Sequence, residues 1–190
     1  MHLGPRLRPV VAAATLGLAI LSVPGLSAQS RSLAPYVPTP GDVVERMLQL
    51  AKVGPRDVVY DLGCGDGRIV ITAAQKFGAR GVGIDIDANL INQAEANAKA
   101  AGVEGRVKFL VQDAMTADVS DASVVTLYLL SASNVKLRPI LTRQLRRGSR
   151  IVSHSFAMGD WEPEVVDTFR DASGTSRTLY LWTTDGKTRP

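Results

Sequence analysis

The sequence predicts an α/β domain: a mostly parallel sheet of seven strands, helices on both of its faces, and an antiparallel hairpin at the C-terminal end. Three observations carry this. Val58–Gly67 reads V-V-Y-D-L-G-C-G-D-G, an apolar run, a carboxylate, then glycine at every second position. Short near-continuous apolar runs alternate with helical patterns afterwards, as in parallel strands buried on both faces. The last two runs, Val165–Phe169 and Thr178–Thr184, alternate around the turn Ala172–Gly174 and so pair with each other.

The chain has 190 residues, enough for one domain, and its single cysteine, Cys64, excludes an internal disulfide or a cysteine-based metal site. Two histidines, His2 and His154, offer no metal cluster. The net charge of +4 is ordinary once Arg6 and Arg8 are set aside, leaving 20 basic against 18 acidic residues. Residues 1–28 read as a leader: basic Arg6 and Arg8, an apolar core Val10–Leu21, the breakers Pro24 and Gly25, then Leu26-Ser27-Ala28. A signal peptide and a membrane anchor both fit this pattern. The core falls short of the ~20 apolar residues of a comfortable span.

Residues 29–40 form a linker rich in Ser and Pro, and 41–185 the folded domain. Thr39 is expected to cap the first helix, with Pro40 at its first position. Val43, Val44, Met47, Leu48 and Ala51 recur at helical spacing until Gly54-Pro55. Tyr36 reads either as an anchor holding the linker on the core or as a lid over a ligand.

Val58–Leu62 is the first strand. The glycines that follow allow backbone angles a Cβ forbids and a close approach to a ligand. A helix starts after Gly67. Strand, glycine turn and helix form the nucleotide-binding unit of open α/β sheets. Arg68 stands where the dinucleotide fingerprint needs its third glycine, which disfavours a nicotinamide enzyme. The D-x-G-x-G-x-G pattern resembles the first motif of class I S-adenosylmethionine (SAM) methyltransferases, a Rossmann-like fold, and that resemblance implies SAM as cofactor.

Gly81–Asp85 is the second strand. Asp85 at its end suits two ribose hydroxyls, and Asp87 suits the cap of the helix starting at Ala88. Arg106–Val111 is the third strand. Asp113 after it fits either an adenine amino group or a turn cap. Ser123–Leu130 is the fourth strand. Asn134–Leu145 is a helix, expected to be regular from Pro139 as a first-turn residue. Arg143, Arg146 and Arg147 suit its C-terminal dipole better than a phosphate patch. Arg150–Ser155 is the fifth strand and carries His154.

Tyr-Val-Pro-Thr at 36–39, Tyr-Asp-Leu-Gly-Cys-Gly-Asp-Gly-Arg-Ile-Val at 60–70, Gly-Ile-Asp-Ile-Asp at 83–87, Leu-Tyr-Leu-Leu at 127–130, Arg-Ile-Val-Ser-His at 150–154 and Gly-Asp-Trp at 159–161 narrow the resemblance. They are similar to a group of small methyltransferases that includes the lysine methyltransferases of the ATP synthase c-subunit and of the adenine nucleotide translocase. The likeness spans residues 35–185. It implies cofactor contacts from Tyr36, Thr39, Asp61, Gly63, Cys64, Gly65, Asp85, Ile86, Asp113 and Ala114, with Cys64 a small loop residue and not a nucleophile. No metal is implied.

The fourth strand ends in Leu-Tyr-Leu-Leu, not in the Asn/Asp-Pro-Pro-aromatic run of common amino-methylating enzymes. Tyr128 and His154 are therefore the candidates to orient an acceptor; a lone His at a strand end also reads as structural. Three readings stay open: a protein-lysine methyltransferase, a methyltransferase for RNA or a small molecule, and a SAM-binding module without catalysis. A monomer is expected, with membrane association through the N-terminus. The leader points to export or anchoring, and the cytoplasmic origin of SAM points the other way.

Overall fold

The computed structural model describes Met1, His2, Gly4 and residues 33–190. The rest of the leader, and the linker before Leu33, lie outside the described residues. Among the described residues seven strands form one sheet: β1 (Val58–Leu62), β2 (Arg80–Asp85), β3 (Val107–Val111), β4 (Val124–Leu127), β5 (Arg150–His154), β6 (Val165–Arg170) and β7 (Ser176–Thr183). Their order is β3-β2-β1-β4-β5-β7-β6. The first five run parallel, and β7 runs antiparallel to β5 and β6. The order reverses between β1 and β4, and such a switch point opens a crevice beyond the carboxyl ends of the strands.

Strand alternation divides the core. Val59, Val124, Val152 and Phe109 point to one face, where α1 (Gly41–Leu50), α2 (Arg68–Phe77) and α3 (Ala88–Ala100) bury them with Val44, Val70 and Ala94. Leu62, Val125, Leu127 and Ile151 point to the other, against Leu137 and Leu141 of α4 (Ser131–Gln144). Burying each such side chain contributes roughly 1.5–3 kcal/mol. No helix of the described residues is long and apolar enough to cross a membrane.

Two helix starts differ from the sequence reading. Thr39 does not cap α1: Pro40 holds the cap position and no side-chain cap bond forms. The Thr39 hydroxyl turns inward, 3.5 Å from His154 Nδ1. α4 begins at Ser131, so Pro139 lies inside the helix and not in its first turn. The strand stops at Leu127, and Leu130 O accepts the first turn's N–H bonds from Ser133 and Asn134. By contrast Asp87 caps α3, its side chain accepting from Asn89 N.

The amino ends of β1, β4 and β5 are tied by Asp57. Its carboxylate accepts from Gly54 N at 2.8 Å, from Ser123 Oγ at 2.7 Å and from Arg150, whose guanidinium also donates to Ala51 O at 2.6 Å. Burial alone would raise this carboxyl; the bonds from Ser123, Gly54 and Arg150 outweigh it and hold the group below its ordinary value. Asp57→Ala should cost about 2–3 kcal/mol by stranding these donors. A folded pKa below the unfolded one gives stability that is full above about pH 4 and lost as pH falls through the folded value. Urea melts from pH 7 to pH 3 should therefore show the wild type converging on the variant at the acid end.

Candidate active site

The glycine turn builds the centre of the crevice. Gly63, Gly65 and Gly67 all take left-handed φ, at 80°, 53° and 78°, which residues with a Cβ rarely adopt. Gly63 N and Cys64 N both donate to Ile84 O, at 2.8 and 3.0 Å, so the turn stays attached to β2. A Cβ on Gly65 would come within 2.9 Å of Tyr36 Cδ2, so the linker's aromatic ring lies directly on the loop. Cys64 is buried, with burial and then Asp61 pushing its thiol far up, so it stays a neutral thiol at neutral pH.

A cavity of about 420 Å³ opens beside this turn. Tyr36, Thr39, Asp61, Gly63, Cys64, Gly65, Asp85, Ile86, Asp113, Ala114 and Tyr128 all line it. His154 does not: it is 0% exposed and stacks behind Tyr128 with ring centroids 4.0 Å apart. Among the described residues its Nε2 has no hydrogen-bond partner, and burial, reinforced by Arg177, lowers its pKa to about 4. The ring is thus neutral at physiological pH and supports Tyr128 from the core side.

Three carboxylates at strand ends face different tasks. Asp85 accepts from Gly65 N at 2.9 Å and from Asp87 N at 3.0 Å, one bond per oxygen, which leaves lone pairs for a hydroxylated ligand. Asp113 caps the 3₁₀ turn Ala114–Thr116 by accepting from Met115 N at 2.9 Å, so the capping role is the one seen. Asp61 is 2% exposed and accepts from Thr126 Oγ1 at 2.8 Å. Burial raises its pKa to about 7, against the Thr126 bond and with help from Asp85 and Asp66. A buried carboxylate with so little compensation suits a cationic ligand group.

Arg68 has only a negative role in the sequence reading. In the structure it donates twice to Asp66, through Nε and Nη2, and at 2.8 Å through Nη1 to Thr39 O. That clamp fixes the linker over the glycine loop, and it keeps Asp66 below its ordinary pKa although burial pulls upward. The available signal was an arginine directly after the last loop glycine. Tyr36, half exposed at 49%, lies against Gly65 and lines the cavity. Among the described residues no group of His, Cys, Asp and Glu could hold a metal ion.

This arrangement fits a nucleoside carrying an amino acid: acceptors at Asp85, a buried anion at Asp61, and a backbone cradle at Gly65 that a side chain would fill. The fold and the crevice define a SAM-dependent methyltransferase of class I. A family model described as the ANTKMT methyltransferase domain matches residues 61–165, and the chain belongs to that family. The Protein-lysine N-methyltransferase of Saccharolobus islandicus (strain REY15A) is 46% identical over 149 residues, 78% of this chain and 92% of that one. The human (Homo sapiens) lysine N-methyltransferase of the ATP synthase c-subunit is 30% identical over 132 residues, 70% of this chain; the chain spans 56% of that relative's length. A crystal structure described as an RNA methyltransferase from Salinibacter ruber in complex with S-adenosyl-L-homocysteine superposes with a TM-score of 0.75 at 54% identity, covering 80% of this chain and 97% of that one.

Asp61 gives a test of the crevice electrostatics. Its folded pKa of about 7 exceeds the ordinary value of about 4, so the native state holds an extra proton between them. The cofactor-free protein should therefore lose stability as pH rises from about 4 to about 7 on this residue's account, and no further above. In Asp61→Asn that component should vanish, read as the difference between wild-type and variant thermal melts across this range. A difference that does not change with pH would show that Asp61 is ionised throughout.

Proposed function

We propose that the chain transfers the methyl group of SAM to the ε-amine of a protein lysine. The observation that carries this is the wall at the end of β4. Tyr128 lines the cavity there, backed by the neutral, fully buried His154 and flanked by Phe156 with ring centroids 6.3 Å apart. The wall is aromatic, and its neighbour Leu129 is aliphatic, so it suits the hydrocarbon stem of lysine and the cation that methylation leaves. The lysine-methylating relatives named above support the same acceptor.

Bound SAM supplies an electrophilic methyl on a sulfonium, and the protein's task is then placement. Asp85 offers acceptors to ribose hydroxyls. Asp61 offers a buried anion to the amino-acid ammonium. Tyr36, clamped through Thr39 and Arg68, closes the crevice from the linker side. Ile86 and Ala114 line the cavity and suit a flat base. An acceptor ammonium must lose its proton before its lone pair can attack, and its ordinary pKa is about 10.4. His154 does not take that proton, because it is sealed from the cavity. Turnover should therefore rise with pH as the amine deprotonates.

RNA is the second reading, and the 54% identical structure described as an RNA methyltransferase favours it. Tritiated SAM, the full chain and a bacterial lysate separate the two. Label that is protease-sensitive, nuclease-resistant and recovered as Nε-methyllysine supports lysine; label recovered only in nucleotides overturns it. Against an acceptor found this way, Tyr128→Ala should lower kcat by about 10–100-fold with affinity for S-adenosylhomocysteine within about twofold. Tyr128→Phe, which keeps the wall, should retain most turnover; a Phe variant as slow as the Ala variant would assign the role to the hydroxyl.

A further inference from the structure

The two faces of the sheet are covered unequally. Under β1, β2 and β3 the face holding Val59, Gly81 and Phe109 is sealed by α2 and α3. On the opposite face α4 covers the centre around Leu62 and Val125. Among the described residues no helix covers the amino-terminal part of these strands. A groove of about 670 Å³ lies there instead, floored by Val58, Tyr60 and Val82, all only half-buried. Parallel sheets ordinarily have both faces covered by helices. The groove has the floor that an amphipathic helix needs.

Its rim is cationic. Arg56, Arg80, Arg106, Lys108 and Arg146 border the groove, all exposed. Asp121 is the acid among the lining residues, and it sits 3.7 Å from Arg146. Burial first, then the charges of Asp121 and Asp118, push the Tyr60 phenol up. No carboxylate of the described residues pairs with Arg56, Arg80 or Lys108. The charge selects the occupant. A second copy of the chain would set the same cations against themselves. The chain's own leader, residues 1–28, contains Arg6 and Arg8 and no acid, so it brings like charge. A flat anionic surface meets the rim but leaves the concave floor wet. A polynucleotide satisfies the rim and gains little from a floor of two valines and one tyrosine.

We propose that this groove docks an acidic amphipathic helix of the protein substrate, its apolar stripe on Val58, Tyr60 and Val82 and its carboxylates on the rim. This rests on the protein-lysine reading above. The groove lies at the amino ends of the strands and the methyl-transfer cavity at their carboxyl ends, roughly 15 Å away for a strand of five residues. The docked helix and the reacting lysine are therefore separate segments of the substrate. Docking raises the local concentration of the lysine at the cavity and leaves the chemical step alone.

The test uses the full chain and two synthetic probes. The first is a fluorescein-labelled helical peptide without lysine, with a Leu/Ala stripe flanked by Glu. Its anisotropy should report binding that weakens at least tenfold in Arg80→Glu/Lys108→Glu and weakens steeply with salt, as charge-steered docking does. Arg80→Ala/Lys108→Ala should fall between the two. Affinity for S-adenosylhomocysteine should be the same in all three proteins, which shows the variants folded. The second probe joins the same helix through a Gly/Ser spacer to a lysine-bearing peptide, and is compared with the lysine peptide alone. The joined peptide should have a KM about tenfold lower, lost in the charge-reversal variant with kcat unchanged. A helix that does not bind, or binds both variants equally well, overturns the proposal. So does a labelled single-stranded RNA that binds with the same variant sensitivity while the helix does not. If the helix binds but neither lysine peptide is methylated, docking stands and the lysine reading fails.

Discussion

The close approach of backbone to backbone and ring at Gly63–Gly67 is the constraint on which the rest depends. Three left-handed residues at alternate positions let the chain leave β1, stay bonded to Ile84 O, and enter α2 within a few residues. The neighbours are shaped to that turn. Gly83 has no side chain because Phe109 and Cys64 Sγ occupy the space, with a Cβ there falling 2.6 and 2.8 Å from them. A Cβ on Gly67 would likewise meet Phe109 and Ala94. The ring of Tyr36 can lie over the crevice because Gly65 is bare. A compact turn, and not a long lid, thus sets the cavity's shape.

Charge is distributed unevenly around that turn. Asp61, Asp66 and Asp85 crowd within one loop and two strand ends. Only Asp66 receives a full ion pair, from Arg68, and that pair is used structurally to hold the linker. Asp85 is steadied by two backbone N–H groups. Among the described residues Asp61 has a single hydroxyl and no cation. Burial in a low-dielectric crevice beside two like charges favours its protonated form until a cationic group arrives. The crevice is thereby poised for a ligand that brings its own positive charge, which a sulfonium amino acid does.

Much of this is legible in the sequence because it depends on local chemistry. The strand–glycine–helix unit, the acid ending β2, the Asp87 cap and the closing hairpin all follow from periodicity and from what glycine and aspartate do near chain reversals. The failures come where tertiary packing overrides a local preference. Thr39 has the type and position of a helix cap, yet its hydroxyl is turned toward His154 by the linker's path. Pro139 suits a first turn, yet α4 runs through it because the chain leaves β4 early and coils at once. Arg68 reads as a broken fingerprint, and its bond to a carbonyl 29 residues away has no sequence signature. The place of His154 at a strand end is legible, but its seclusion behind Tyr128 is a matter of side-chain layering. The half-covered sheet is likewise invisible to a pattern that assumes helices on both faces.

The bare backbone at Gly65 makes the cofactor site, and titration calorimetry of S-adenosylhomocysteine against Gly65→Val tests this most directly. A valine there is strained at φ 53° and drives its side chain into the Tyr36 ring and the crevice. The ring that such a side chain meets belongs to Tyr36, a half-exposed linker residue outside the sheet core, so the clash can be relieved by moving the linker and the variant should keep its fold. The expected result is no measurable heat of binding in that folded variant. Binding at wild-type affinity would contradict the assignment and place the cofactor elsewhere.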